Sequence, residues 1–204
     1  MSFVRRLLIA KLLKLRKLNK QIFENHKIKS TMKTFKILGL IIFLFSALGC
    51  DKDDEIDIDN IEVEKYIELL KKGEYESWDL PPFTAEDIPA LLQYRNETQV
   101  ITRFPRNLLS SYGMPECKLG MHVLWTIESI RAVAIKSKYL TGRFPSQNPV
   151  LALRNSEGIE LVNTDESHAV AAKAYFDWWN ENKLKDFDEF KNIDPLAETD
   201  YRWH

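Results

Sequence analysis

The sequence predicts a mostly α, compact helical domain with one small β-hairpin over residues 61–204. Three observations carry this. Apolar residues recur at helical spacing through most of that stretch, only five glycines follow residue 50, and few runs alternate apolar with polar residues. The last two weigh against an all-β sandwich, whose strands alternate and turn on glycine.

The elements can be read in chain order. Over residues 61–72, Ile61, Tyr66, Ile67, Leu69 and Leu70 fall near one face, and Gly73 supplies the stop. Pro81-Pro82 mark a turn over 78–83. Thr84, with Asp87 three residues on, opens a short helix; Pro89 sits in its first turn, where a missing N–H costs little, and Ile88, Leu91 and Leu92 face inward. Pro105, Gly113 and Pro115 make residues 103–115 a loop.

Residues 118–138 are the strongest helix and are apolar on nearly every side, which places them at the centre of a core. His122, Glu128, Arg131 and Lys136 argue against a membrane span there. Residues 150–153 and 159–162 flank a turn at 155–158 and read as the hairpin. Thr164, Asp165 and Glu166 start a helix running to about Asn182, and residues 186–191 form one more short helix. Tyr201 and Trp203 suggest a tail docked on the domain.

An alternative architecture comes from Arg103-Phe104-Pro105, which recurs as Arg143-Phe144-Pro145 forty residues later. Helix-pair repeats of the HEAT kind have periods near that length. The flanking residues match poorly, so coincidence is the competing reading.

The first fifty residues are organised differently. Lys33 and Lys36 precede twelve uncharged residues, 37–48, which are too few for a bilayer span but suit the core of a secretory signal peptide. Ala47-Leu48-Gly49-Cys50 resembles the lipobox of bacterial lipoproteins, in which the thiol is joined to diacylglycerol and the peptide is cut before the cysteine. It departs in having Ala47 where leucine is usual, and Ala47 and Gly49 also suit an ordinary signal peptidase. Asp51-Lys52-Asp53-Asp54 resembles the export signal of Bacteroidetes-type surface lipoproteins, against the plain reading of an acidic linker. Residues 1–31 carry nine Lys or Arg against Glu24 alone, with Leu8, Leu12, Leu15 and Leu18 at helical spacing. They read either as a basic amphipathic helix or as sequence upstream of a start at Met32. The expected organisation is thus a basic extension plus signal peptide over 1–49, an acidic tether over 50–60 and a single helical domain over 61–204.

Charge follows the same division. The leader to Gly49 holds eleven of the 29 basic residues and one of the 30 acids, leaving eighteen against twenty-nine, a net charge of −11. Such a surface repels phosphate backbones, so no nucleic-acid partner is expected. With Cys50 lipidated, Cys117 has no disulfide partner and reads as a small buried hydrophobe.

The segment after the tether also resembles uncharacterised lipoprotein domains of gut Bacteroidetes. The resemblance rests on Leu124-Trp125-Thr126-Ile127-Glu128-Ser129-Ile130-Arg131, Tyr175-Phe176-Asp177-Trp178-Trp179-Asn180 and the tail Tyr201-Arg202-Trp203-His204. It implies an envelope location and a helical fold, and no activity.

Candidate sites are few. Glu128 and Arg131 lie three apart on the central helix, and His122, Thr126 and Ser129 form a neighbouring polar stripe. His122, Glu128 and Arg131 are the candidate ligand-site residues; the competing reading is a structural ion pair beside a satisfied histidine. Cys117 and His122 are badly spaced for a nucleophile and its base. Asp165 and His168 are three apart at a helix start, where helix capping explains Asp165 without chemistry; no histidine pair has zinc-site spacing, and neither a metal nor another cofactor is expected. Trp178 and Trp179 with Tyr175 could present a sugar platform, but adjacent helical residues point about 100° apart, which favours core roles. The expected function is a lipid-anchored envelope or cell-surface binding module, non-enzymatic, with a membrane anchor and a protein or glycan partner. The alternative is a hydrolase or glycan-processing accessory with its site around His122, Glu128 and Arg131.

Overall fold

The computed structural model describes residues 57–204; Cys50, the leader and most of the tether lie outside the described residues. In chain order the elements are α1 (Val63–Lys72), α2 (Ile88–Leu92), β1 (Val100–Ile101), β2 (Cys117–Lys118), α3 (Leu119–Ala134), β3 (Leu151–Leu153), β4 (Leu161–Val162), α4 (Asp165–Asn182), α5 (Phe187–Phe190) and β5 (Tyr201–Trp203). Five helices with two small antiparallel sheets make the class mixed α/β, a correction to the mostly α expectation with a single hairpin. The hairpin strand β3 pairs with β4 as expected, but its other edge is taken by the C-terminal β5, giving the order β4-β3-β5. The loop over 103–115 is closed by the β1–β2 ladder, which pairs Val100 with Lys118 and Ile101 with Cys117.

Local chemistry sets the helix ends. Gly73 takes a φ of 69°, and Glu74 N–H bonds Leu69 O at 2.9 Å, closing α1 with a left-handed cap. Thr84 N–H donates to Asp87 Oδ2 at 2.8 Å ahead of α2. Thr164 and Ser167 cap α4 reciprocally, each backbone N–H meeting the other's hydroxyl at 3.0 Å. The central helix ends earlier than its apolar pattern suggests. Lys136 adopts a φ of 51°, Ser137 N–H bonds Ala132 O at 2.9 Å and Lys136 N–H bonds Val133 O at 3.1 Å. This is the same terminating motif without glycine, so the sequence carries no obvious stop signal.

All fourteen residues 119–132 of α3 are buried, with α2 and α4 packed against it. The core includes Tyr66 and Leu70 of α1, Leu91 of α2, Leu124 and Ile127 of α3 and Tyr175 of α4. Trp125 is fully buried beside Leu80 and Phe144, with Trp203 against them. Gly120 is where α3 meets the loop after α2: a Cβ there would lie 2.5 Å from Arg95 O and 2.5 Å from His168 Nε2.

The two Arg-Phe-Pro triplets lie in coil, so the described residues contain no HEAT-like helix-pair repeat, which corrects that alternative. They do share a job. Arg103 donates to Gly73 O and Arg143 to Pro81 O and Phe83 O, each tying its loop to an earlier one. Phe104 then packs on His122 and Phe144 stacks on Trp125, neighbours on the same face of α3. No helix among the described residues is long and apolar enough to cross a membrane.

Candidate functional site

A cleft of about 630 Å³ lies beside the C-terminal half of α3, within the usual range for small-ligand sites. Its walls come from Glu128 and Arg131 of α3, the turn after α3, the segment before β3 and the C-terminal strand. A second cleft beside Trp78, Arg103 and Arg106 is about 200 Å³. Its two arginines donate to the backbone carbonyls of Gly73, Thr102 and Pro115.

Helical spacing puts Glu128 and Arg131 one turn apart, and they meet as a bidentate pair: Arg131 Nε to Glu128 Oε2 at 3.0 Å and Nη2 to Oε1 at 2.5 Å. Their side chains are 9% and 11% exposed. From α4, Tyr175 donates its hydroxyl proton to Glu128 Oε2 at 2.6 Å, and Trp203 Nε1–H of β5 donates to Tyr175 Oη at 2.8 Å. Arg131 Nη1 reaches Lys191 O at 3.2 Å, just past α5. Four segments therefore converge on one ion pair. Burial, and then the Glu128 charge, hold the Tyr175 hydroxyl well above its ordinary pKa, so it stays a donor. Burial pulls Arg131 down, but the bonds and charge of Glu128 outweigh it and the net shift is upward.

The third sequence candidate is elsewhere. His122 is fully buried, with Nε2 sharing a hydrogen bond of 2.7 Å with Tyr66 Oη, and it does not line the cleft. Burial pushes its pKa down to about 3, so the ring is neutral, and Nδ1 has no partner among the described residues. Thr126 and Ser129 bond inward to His122 O and Arg143 O. The structure thus unites Glu128 with Arg131 and separates both from His122.

The remaining candidates have structural surroundings. Cys117 is a free, buried thiol whose pKa burial pushes up. Asp165 meets Lys118 at 2.7 Å, and His168 Nε2–H donates to Arg95 O at 2.8 Å. Trp178 is buried, while Trp179 is half-buried and tilted 53° from it, so they share no flat platform.

Sequence reasoning missed Arg202, Trp203 and His204 as site residues, along with Tyr139, Thr141 and Gln147 from the segment between α3 and β3. The aromatic tail was the one available signal. His204 O accepts from Gln147 N–H at 2.8 Å and from Asn148 N–H at 3.2 Å, which brings the tail onto the cleft wall. The Asn148 amide oxygen accepts from His204 Nδ1–H at 3.0 Å once the amide is oriented to satisfy its neighbours. Burial, and then the Arg202 charge, lower the pKa of His204.

Residues 57–204 match the family described as "Domain of unknown function (DUF4943)", and the chain belongs to that family. No curated protein and no solved structure matches the chain.

Proposed function

We propose that this member of the family is a lipid-anchored envelope protein whose domain holds a ligand in the 630 Å³ cleft without transforming it. The observation that carries the reading is the saturation of the Glu128–Arg131 pair in the cleft's wall. Glu128 Oε2 accepts from both Arg131 and Tyr175, Oε1 accepts from Arg131, and Arg131 also spends a donor on Lys191 O. A general acid or base must exchange a proton with substrate within hydrogen-bond reach. A carboxylate locked in a buried bidentate pair is built to shape a wall. Around it stand Leu109, Tyr139 and Ile159, each exposed by two-thirds or more. An apolar rim over a satisfied polar wall suits retention of a ligand. The hydrolytic alternative draws less support, because His122 lies outside the cleft.

Location rests on the leader. The lipobox-like Ala47-Leu48-Gly49-Cys50 and the Lys52-Asp53-Asp54 that follows support a surface lipoprotein of the Bacteroidetes type. The anchor would make the membrane one partner, and the net charge of −11 after Gly49 speaks against nucleic acid as another.

Two measurements test the proposal. Palmitate should label the wild type and not Cys50→Ala; label persisting in the variant refutes the anchor. For the cleft, ligand-observed NMR of the full chain in detergent against pools of oligosaccharides and peptides should reveal a bound pool. Gln147→Trp fills the cleft from an exposed position and should abolish that signal, and the bound compounds should be recovered unchanged. Binding that survives Gln147→Trp, or turnover of the bound compounds, refutes the reading.

A further inference from the structure

The polar groups of the cleft divide into two sets. On its floor, Glu128, Arg131, Trp203 Nε1, Ser146 Oγ and the Asn107 amide all have hydrogen-bond partners within the protein. Arg202, Gln147, Thr141 and Tyr139 also line the cleft, half-buried or exposed, and the guanidinium, amide and hydroxyl groups of their side chains have no hydrogen-bond partner among the described residues. The charges divide in the same way. Glu128 cancels Arg131, and Asp194 is met by Arg154 at 3.3 Å. Among the described residues Arg202 is the cation of the lining that no anion meets, in a chain whose portion after Gly49 is strongly acidic.

We infer that the cleft binds an oligosaccharide carrying one carboxylated sugar, with Arg202 gripping the carboxylate and Thr141, Gln147 and Tyr139 meeting ring hydroxyls. The inference rests on the reading of the cleft as a binding site and names its ligand class. A guanidinium offers a carboxylate two parallel donors, a geometry that also gives specificity. Phosphate sites gather several cations or a helix N-terminus; among the described residues Arg202 is the one lining cation that no anion meets, and the neighbouring Lys138 ammonium lies over the Tyr139 ring. A wholly apolar ligand would leave four polar groups covered and unpaired, which costs binding energy. The surplus of neutral hydrogen-bonding groups over charge fits a ligand rich in hydroxyls. Tyr139 adds an exposed ring whose one face is covered by the Lys138 ammonium at 4.9 Å, leaving the other for a sugar face.

The test is calorimetric titration of the full chain in detergent with two probes, 3′-sialyllactose and a glucuronosyl-xylotriose. Lactose and xylotriose serve as neutral controls and a glutamate-containing tetrapeptide as the rival. The Arg202 side chain makes no hydrogen bond among the described residues and its backbone pairing with Ala152 does not depend on it, so Arg202→Gln should melt with the wild type. At least one acidic saccharide should bind, and Arg202→Gln should weaken it about tenfold or more, the usual scale of a charged hydrogen bond. Arg202→Lys should restore only part, because lysine cannot bind bidentately. The neutral controls should bind the wild type no better than the acidic probe binds Arg202→Gln. Failure of both acidic probes to bind, indifference to Arg202→Gln, or tighter binding of the peptide overturns the inference. Neutral-sugar binding that Gln147→Trp abolishes and Arg202→Gln spares would reject the acidic ligand and keep the binding cleft. Binding that survives Gln147→Trp would reject both.

Discussion

Arg131→Met removes one half of the pair on which four segments converge. Methionine keeps much of the side-chain bulk and deletes every donor. Glu128 is then left with the Tyr175 hydroxyl alone, on a side chain only 9% exposed. Breaking a buried ion pair from one side costs about 3–5 kcal/mol, because the survivor is an uncompensated charge. The adjoining cleft can admit water to Glu128, which points to the lower end, near 3 kcal/mol. For a domain of this size each kcal/mol moves Tm by about 2–4 °C, so the midpoint should fall by roughly 6–12 °C. Loss of the Arg131 tie to Lys191 O should also loosen α5. The double variant Glu128→Gln with Arg131→Met removes the stranded charge while keeping an acceptor for Tyr175, and should recover part of the loss. Scanning calorimetry of wild type, single and double variants decides it. A single variant melting within 2 °C or so of wild type, or a double variant no better than the single, would show that the pair is not held in a low-dielectric wall.

Three other perturbations probe the frame around the cleft. Trp125→Ala should cost about 3–5 kcal/mol by urea denaturation, because it empties a fully buried site stacked on Phe144 and removes the indole donor to Ser146 Oγ; a cost under about 1 kcal/mol would contradict the packing. His122 has its folded pKa depressed to about 3 against an ordinary 6.5, so the unfolded chain takes up the proton first and stability is lost as pH falls through that window. Relative to His122→Gln, the wild type should therefore lose about 2–3 kcal/mol between pH 6.5 and pH 4.5, and parallel pH profiles would place the imidazole in water. Gly120→Ala should destabilise despite alanine's helix preference of about 1 kcal/mol, since the new methyl would sit 2.5 Å from Arg95 O; overpacking costs about 1–3 kcal/mol, and an unchanged or raised urea midpoint would mean the Arg95 loop yields freely.

What the sequence made legible was local. Gly73, Thr84, Thr164 and the Asp186 start of α5 mark helix ends because a cap needs only residues within one turn. The all-round burial of α3 was legible from its all-round apolar pattern. The end of α3 at Lys136 was not, because a non-glycine left-handed residue leaves no compositional mark. Nor was β5, whose partner β3 lies about fifty residues earlier and whose register depends on His204 meeting Val150 and Gln147. The site divides along the same line. Glu128 and Arg131 share a helix turn, so their pairing followed from spacing. Tyr175, Trp203 and Lys191 come from three other segments, and only the folded chain assembles them. His122 belongs to the same apolar helix but faces Tyr66 and Phe104, and spacing alone could not tell that side from the cleft.

The claim that the cleft between the turn after α3 and the C-terminal strand is the binding site is tested most directly by amide hydrogen exchange. The full chain would be compared with and without the acidic saccharide that binds more tightly. Exchange should slow over residues 137–147 and 201–204 and stay unchanged over residues 75–78 and 102–106, the walls of the smaller cleft. Slowing confined to that smaller cleft, or absent from both under saturating ligand, would contradict the account.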